Sequence, residues 1–293
     1  MTFLPAPVTL FVMLSIVIIN TLFCSFFLFI AAILKFVVPS NSWKQIADKF
    51  VIFFAESWIS INSNALKTFT KTNIETYGLE NLKKNEWYLI ISNHQSWVDI
   101  VILQTIFNKK IPFLKFFLKK ELIWVPVLGL AWWALEFPFM KRYSKQFIKN
   151  NPHLKGKDLE STKKACEKFK LNPVSIMNFL EGTRFSEKKH KRQNSPYKNL
   201  LTPKAGGIAF VLGAMGDHLN KIVNITILYP NEKPNFFGLL SGKISKVCVN
   251  IEVTPITPNI IGDYFNDAPF RADFQLWVNS LWEEKDKFIA GKR

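Results

Sequence analysis

From Val8 to Leu34 the chain runs for 27 residues without a charge, VTLFVMLSIVIINTLFCSFFLFIAAIL. That is longer than the roughly 20 helical residues that cross a hydrocarbon core, and the stretch reads as a membrane helix. Its rival is a cleaved signal peptide, which needs a basic leading region, an apolar centre of about 7–15 residues and a small-residue exit. Met1–Pro7 contains neither Lys nor Arg. Lys35, Lys44 and Lys49 follow the stretch and nothing basic precedes it. The positive-inside bias therefore leaves the rest of the chain facing the cytoplasm, at the inner membrane if the cell is bacterial. Residues 1–38 are expected to be an N-terminal membrane anchor.

Residues 39–72 carry Trp43, Ile46, Phe50, Phe53, Phe54 and Trp58 at mostly helical spacings, with Lys44, Asp48 and Lys49 between them. Such an amphipathic helix lies either on the bilayer or against a soluble core, because the apolar stripe has the same form in both settings. A second apolar run, Leu122–Phe139, holds Trp124, Trp132 and Trp133 but is broken by Pro126, Gly129 and Pro138. It is expected as a buried or interfacial hairpin rather than a second span. The net charge of +16 draws the chain toward anionic partners such as phospholipid headgroups, nucleic acid or acidic proteins, and the 15% aromatic content suits lipid. Cys24, Cys166 and Cys248 are odd in number and lie far apart, so neither a disulfide framework nor a zinc knuckle is indicated and a reducing compartment is the simpler setting.

Between Trp87 and Pro230 one local plan occurs three times: a short apolar run, a polar turn, then a helical stretch. The runs are Trp87–Ile91, Val174–Leu180 and Val223–Tyr229. Asp158–Lys170 reads as an amphipathic helix before the second run, and Pro203–Met215, with proline at its start, as a helix before the third. Short buried strands alternating with helices predict an α/β fold: a mainly parallel sheet flanked by helices, with ligands beyond the carboxyl ends of its strands. Lys188–Arg192 (KKHKR) interrupts the plan and is expected as a solvated loop, with phosphate or nucleic-acid contact as the alternative. The tail holds a strand over Val247–Val253 and a helix over Phe270–Phe288, whose apolar stripe is Phe274, Trp277, Val278, Leu281 and Trp282, and no chemistry is assigned to it.

Two of the turns carry candidate chemistry. The first is Asn93-His94-Gln95-Ser96-Trp97-Val98-Asp99. On one continuous helix, residues five apart point about 140° away from each other, so a working His94–Asp99 pair needs His94 in the turn and Asp99 in the first helical turn. Ser96-x-x-Asp99 has the form of a capping box, which supplies that break; a purely capping Asp99 is the plainer reading of the same pattern. The two are compatible, since a carboxylate at a helix N-terminus is held as the anion and can fix the imidazole tautomer whose other nitrogen accepts a proton. The second turn, Phe179-Leu180-Glu181-Gly182-Thr183-Arg184, joins a glycine to a carboxylate, a hydroxyl and a guanidinium. Taken singly these are a turn glycine and a local ion pair, but Arg also matches phosphate with two parallel hydrogen bonds.

His94-x-x-x-x-Asp99 at one strand end, with Phe179–Arg184 about 80 residues later, resembles the glycerolipid acyltransferase family of PlsC-type lysophosphatidic acid acyltransferases. Phe137–Ser144 and Thr202–Gly207 resemble two further blocks of that family, and the likeness covers roughly Tyr77 to Pro230. The wording of these blocks, with Val125–Gly129 and Trp132-Trp133 before them, looks most like the branch that holds a bacterial accessory lysophosphatidate acyltransferase and eukaryotic lysocardiolipin- and lysophosphatidylinositol-type enzymes. The resemblance implies an acyltransferase domain over residues 73–293 and transfer without an acyl-enzyme. His94 would take the proton of a glycerol hydroxyl, with Asp99 orienting it. Arg184, Gly182 and Thr183 would sit at the acceptor phosphate, Glu181 would position that turn or the substrate, and Lys141, Arg142 and Lys204 would assist. At Phe139-Met140-Lys141-Arg142 the sequence departs from the commoner form, which has an acid before the arginine. The acyl chain is expected near Leu122–Phe139.

The implied co-substrate is acyl-CoA or acyl-carrier protein, with no cofactor and no metal requirement, and membrane phospholipid and lysophosphatidic acid are the expected partners, without nucleic acid. The expected product is phosphatidic acid, formed at the sn-2 hydroxyl of 1-acylglycerol-3-phosphate. A lysophosphatidylinositol- or lysocardiolipin-like acceptor is the alternative, and a basic, membrane-anchored binding protein is the non-enzymatic one. The chain contains no G-x-S-x-G, H-E-x-x-H, G-x-x-x-x-G-K-[ST] or G-x-G-x-x-G, the parts that a serine hydrolase, zincin, P-loop or Rossmann enzyme requires.

Overall fold

The structure, a computed structural model, describes residues 4–38, 40–140, 150 and 157–292. Helix α1 (Ala6–Val37) opens with Pro7 in its first turn, where the missing N–H costs nothing, and is long and apolar enough to cross a membrane. Ser40 caps helix α2 (Asn41–Phe69) by accepting from the Trp43 N–H, and the two helices pair as a hairpin. The hairpin carries its own polar clasp. The Asn20 amide donates to Trp58 O and to Asn62 Oδ1, each at 2.9 Å, while the Trp58 indole donates to Thr21 Oγ1 at 2.9 Å.

A six-stranded sheet follows, in the order β1 (Asn73–Tyr77), β8 (Lys246–Pro255), β7 (Lys221–Leu228), β2 (Tyr88–Ser92), β6 (Ser175–Phe179), β3 (Leu114–Phe116). All pairings are parallel except β7–β8, as the sequence plan predicts. A two-stranded ladder joins β4 (Leu118–Lys119) to β5 (Phe139–Met140). Every residue of β2 is buried, the pattern of a central strand covered on both faces. Tyr88 and Ile90 point into one core, with α1, α2, helix α3 (Val98–Phe107) and helix α4 (Leu128–Ala134). Leu89 and Ile91 point into the other, with helices α5 (Lys157–Phe169), α7 (Gly206–Met215) and α9 (Ala268–Lys292). Each buried aliphatic side chain contributes about 1.5–3 kcal/mol, so β2 gives a rigid base for the turn that follows it.

Three segments differ from their sequence expectations. Lys188–Arg192 lies not in a solvated loop but in helix α6 (Glu187–Gln193): Ser186 caps it by accepting from the Lys189 N–H, and its basic last turn suits the negative end of the helix. The expected helix at Pro203 starts at Gly206 instead. Leu122–Phe139 is a 3-10 turn (Lys120–Trp124) followed by α4, with left-handed backbone at Val127 and Glu136 where the chain reverses. Ala131, Ala134 and Phe137 are buried while Trp124 is 85% exposed, so the segment is both a packed and an open surface. Likewise α2 packs on α1 and α3 but leaves Ile46, Phe50, Phe53 and Ile61 exposed. Helix α1 packs against α2, α4 and the short helix α8 (Phe236–Leu240), which leaves one open apolar face that includes Phe11, Ile19, Phe23 and Phe26.

Candidate active site

Register brings the two turns together. Ser92 of β2 pairs with Phe179 of β6, so His94 and Glu181, each two residues further on, leave the sheet at the same level. Strand β7 pairs with β2 on the other side, Ser92 against Ile225, and runs on past it. The Asn93 side chain uses that overhang: its amide donates to Ile227 O and its oxygen accepts from the Ile227 N–H, both at 2.9 Å. The ladder is in effect extended by one side chain, and the chain turns at His94.

The His94 Nδ1–H donates to Asp99 Oδ2 at 2.8 Å, and its ring stacks on Phe179 with centroids 3.9 Å apart. With 12% of the side chain exposed, His94 makes no other side-chain hydrogen bond among the described residues, which leaves Nε2 without a protein partner. Asp99 is fully buried and saturated with donors. Its Oδ2 also accepts from the N–H groups of Gln95 (2.6 Å) and Ser96 (2.9 Å), and Oδ1 accepts from the Tyr229 hydroxyl at 2.7 Å. The bond from the Ser96 N–H to Asp99 is one half of a capping box, but Ser96 Oγ accepts from the Val98 N–H at 3.3 Å rather than from that of Asp99, and regular helix begins at Val98. Capping and orienting are thus one arrangement. Burial and the adjacent Asp99 carboxylate push the Tyr229 phenol well above its usual range, which keeps it a neutral donor.

The second turn is fastened to the first by the Phe185 N–H, which donates to His94 O at 2.7 Å. Glu181 is fully buried beneath this junction; Oε1 accepts from the Leu201 N–H at 3.4 Å and the carboxyl also accepts from the His94 backbone N–H. Its other oxygen, Oε2, has no partner among the described residues. Burial raises this carboxyl to about 8, against which the two backbone donors act. Of the two roles considered for Glu181, its position matches holding the turn. Gly182 has φ +66°, which favours glycine, and a Cβ there would lie 3.2 Å from Lys204 Nζ, so any other residue would also push the lysine folded across it. Arg184 lies over the Trp97 ring at 5.1 Å.

Beyond these turns opens a cavity of about 370 Å³ lined by Gln95, Ser96, Trp97, Arg184, Phe185, Ser186, Lys189 and the Pro234–Phe236 segment. It offers two cations and no acid. The structure therefore brings together His94, Asp99, Glu181, Gly182, Thr183, Arg184 and Lys204; Lys141 and Arg142 lie outside the described residues. Sequence reasoning missed Tyr229, which reads as one more residue of an apolar strand until β7 is seen to overrun β2. It missed Lys189 because a run of five basic residues gives no sign of which one turns inward. It also missed Lys285 of α9, fully buried, which donates to Ile225 O and is pushed down to about 7 by that burial.

A parallel α/β sheet with a histidine–carboxylate pair and a cationic cavity at one strand edge has the parts of an acyl-transfer enzyme of the PlsC fold. The acyltransferase family model matches residues 73–228, more than half of the chain, and the chain belongs to that family. It is 26% identical over 225 residues to human 1-acyl-sn-glycerol-3-phosphate acyltransferase delta, an alignment covering 72% of this chain and 53% of the relative. The human gamma enzyme is 24% identical over 243 residues, covering 78% and 57%. The chain thus spans about half the length of the curated relatives it matches. In fold it is similar to the crystal structure of the 1-acyl-sn-glycerophosphate acyltransferase PlsC from Thermotoga maritima, with a TM-score of 0.51 and 18% identity over 92% of this chain and 98% of that one.

Proposed function

We propose that this acyltransferase moves an acyl chain from acyl-CoA or acyl-carrier protein to the sn-2 hydroxyl of 1-acyl-sn-glycerol-3-phosphate, giving phosphatidic acid. The observation that carries this reading is the 2.8 Å His94–Asp99 bond beside an acid-free cavity with Arg184 in its wall. His94 Nε2 takes the hydroxyl proton as the oxygen attacks the thioester carbonyl. A C–O bond forms, the C–S bond breaks, and the imidazolium returns the proton to the leaving sulfur. Asp99 stabilises the imidazolium, and its four donors hold it in place. Arg184 binds the acceptor phosphate with its planar fork, backed by the Trp97 face. Gly182 lets Lys204 close over the turn, and Thr183 adds a hydroxyl donor. No step calls for a metal or a bound cofactor.

The open face of α1 supports membrane attachment, with the lipid acceptor drawn from the bilayer against which that face rests. The catalytic face is assigned to the cytoplasm, where acyl thioesters are supplied.

The reading is tested by acyl transfer from labelled oleoyl-CoA, and from an acyl-carrier-protein donor, in mixed micelles. The acceptors are 1-acylglycerol-3-phosphate, lysophosphatidylinositol and lysocardiolipin. Transfer to the phosphate monoester by wild type, lost in His94→Ala, is expected. Preference for either of the other lipids would move the substrate assignment, and no transfer from either donor would favour a binding protein.

A further inference from the structure

The cavity beside His94 holds a second cation that the family resemblance does not account for. Lys189 sits in the first turn of α6, and its backbone N–H is fixed by Ser186 Oγ at 3.4 Å. Its ammonium donates to Thr183 Oγ1 at 2.7 Å and to Arg184 O at 2.8 Å. An ammonium has three N–H donors, so one is left for a ligand. The Thr183 hydroxyl, having accepted from Lys189, must send its own hydrogen to another acceptor. Arg184 and Lys189 line the same cavity and none of the lining residues is acidic. Glu187, the acid on that end of α6, is engaged by Lys233 at 3.6 Å. The next residue of α6, His190, is tied to Tyr197 O at 2.6 Å, which holds the helix in place.

We infer that Lys189 is a second phosphate-binding residue, and that with Arg184 it selects an acceptor bearing a phosphate monoester over one bearing a phosphodiester. The inference rests on the acceptor assignment proposed above. A monoester carries close to two negative charges at pH 7 and three terminal oxygens, whereas a diester carries one charge and two free oxygens. Two fixed cations match the first and leave the second with an uncompensated cation. The exposed Lys188, one position earlier on the helix and outside the cavity lining, makes no such contact among the described residues and serves as a matched control.

The test is a steady-state titration of the full chain in mixed micelles at saturating oleoyl-CoA, with 1-acylglycerol-3-phosphate and lysophosphatidylglycerol as acceptors. Lys189→Met is expected to raise the monoester KM about tenfold with kcat within about twofold, and to leave the diester KM unchanged. Lys189→Arg should retain most of the preference, and Lys188→Met should match wild type. Equal losses on both acceptors, or a fall in kcat alone, would make Lys189 a strut for the turn and overturn the inference. A rise in oleoyl-CoA KM with acceptor KM unchanged would assign the cavity to the donor and overturn it equally. Failure of the acceptor reading looks different, because wild type would then prefer lysophosphatidylglycerol or transfer to neither lipid.

Discussion

The turns after β2 and β6 leave the same sheet edge at the same level, yet they are built in opposite ways. In the first, nearly every polar atom is engaged: Asn93 grips Ile227, Asp99 accepts four hydrogen bonds, and one imidazole nitrogen is left over. In the second, Glu181 is the one buried charged side chain, while Arg184 and, from the helix that follows, Lys189 line an open cavity. A proton-transfer group works only when its position and tautomer are fixed before the reaction, which demands saturation. A headgroup site must exchange its ligand, which demands donors that are held but not consumed. The contrast assigns chemistry to the first turn and recognition to the second.

The comparison can be broken at either turn. The largest effect is expected for His94→Ala: single-turnover transfer from labelled oleoyl-CoA should fall by about 10²–10⁴-fold, while sedimentation with vesicles is unchanged because α1 is untouched. Next comes Arg184→Ala, which should raise the acceptor KM by about 10–100-fold, measured by acceptor titration, with a modest change in kcat. Tyr229→Phe removes one donor from Asp99 and should lower kcat about 5–10-fold. The same change made on an Asp99→Asn background should cost almost nothing further, a non-additivity that a merely structural phenol would not produce.

The smallest effect is a stability difference at Glu181. Its folded carboxyl is raised from 4.5 to about 8, so the stability this brings is fully present below about pH 4.5 and is lost as pH rises through about 8. Glu181→Gln has no such loss. Its melting temperature relative to wild type, followed by circular dichroism in detergent, should therefore climb by about 5 °C between pH 5 and pH 8.5. Lys285 titrates in the same window and is coupled by charge to Glu181, so the difference reports the pair rather than the carboxyl alone. A flat difference would mean that Glu181 is charged in the folded protein at neutral pH.

Much of this was legible in the sequence because the features concerned are local. Alternating helices and fully apolar runs imply a parallel sheet, and Ser96-x-x-Asp99 implies a turn that releases His94 before the helix begins. What was not legible depends on register. Nothing near Tyr229 in the chain announces that its phenol meets Asp99, since the contact exists only because β7 overruns β2 by three residues past Ile225. Lys189 lies among five basic residues whose inward member is chosen by the Ser186 cap. The packing of α1 on α4 and α8 was hidden too, because an apolar helix has the same composition whether lipid or protein covers it.

The division of labour between the two turns is tested most directly by acceptor titrations of wild type, His94→Ala and Arg184→Ala side by side in the same micelles at saturating donor. The account predicts that the variants separate along different axes. His94→Ala should lose kcat at an unchanged acceptor KM, and Arg184→Ala should keep kcat within about threefold at a raised acceptor KM. Equal loss of kcat in both variants, with neither KM moved, would contradict it.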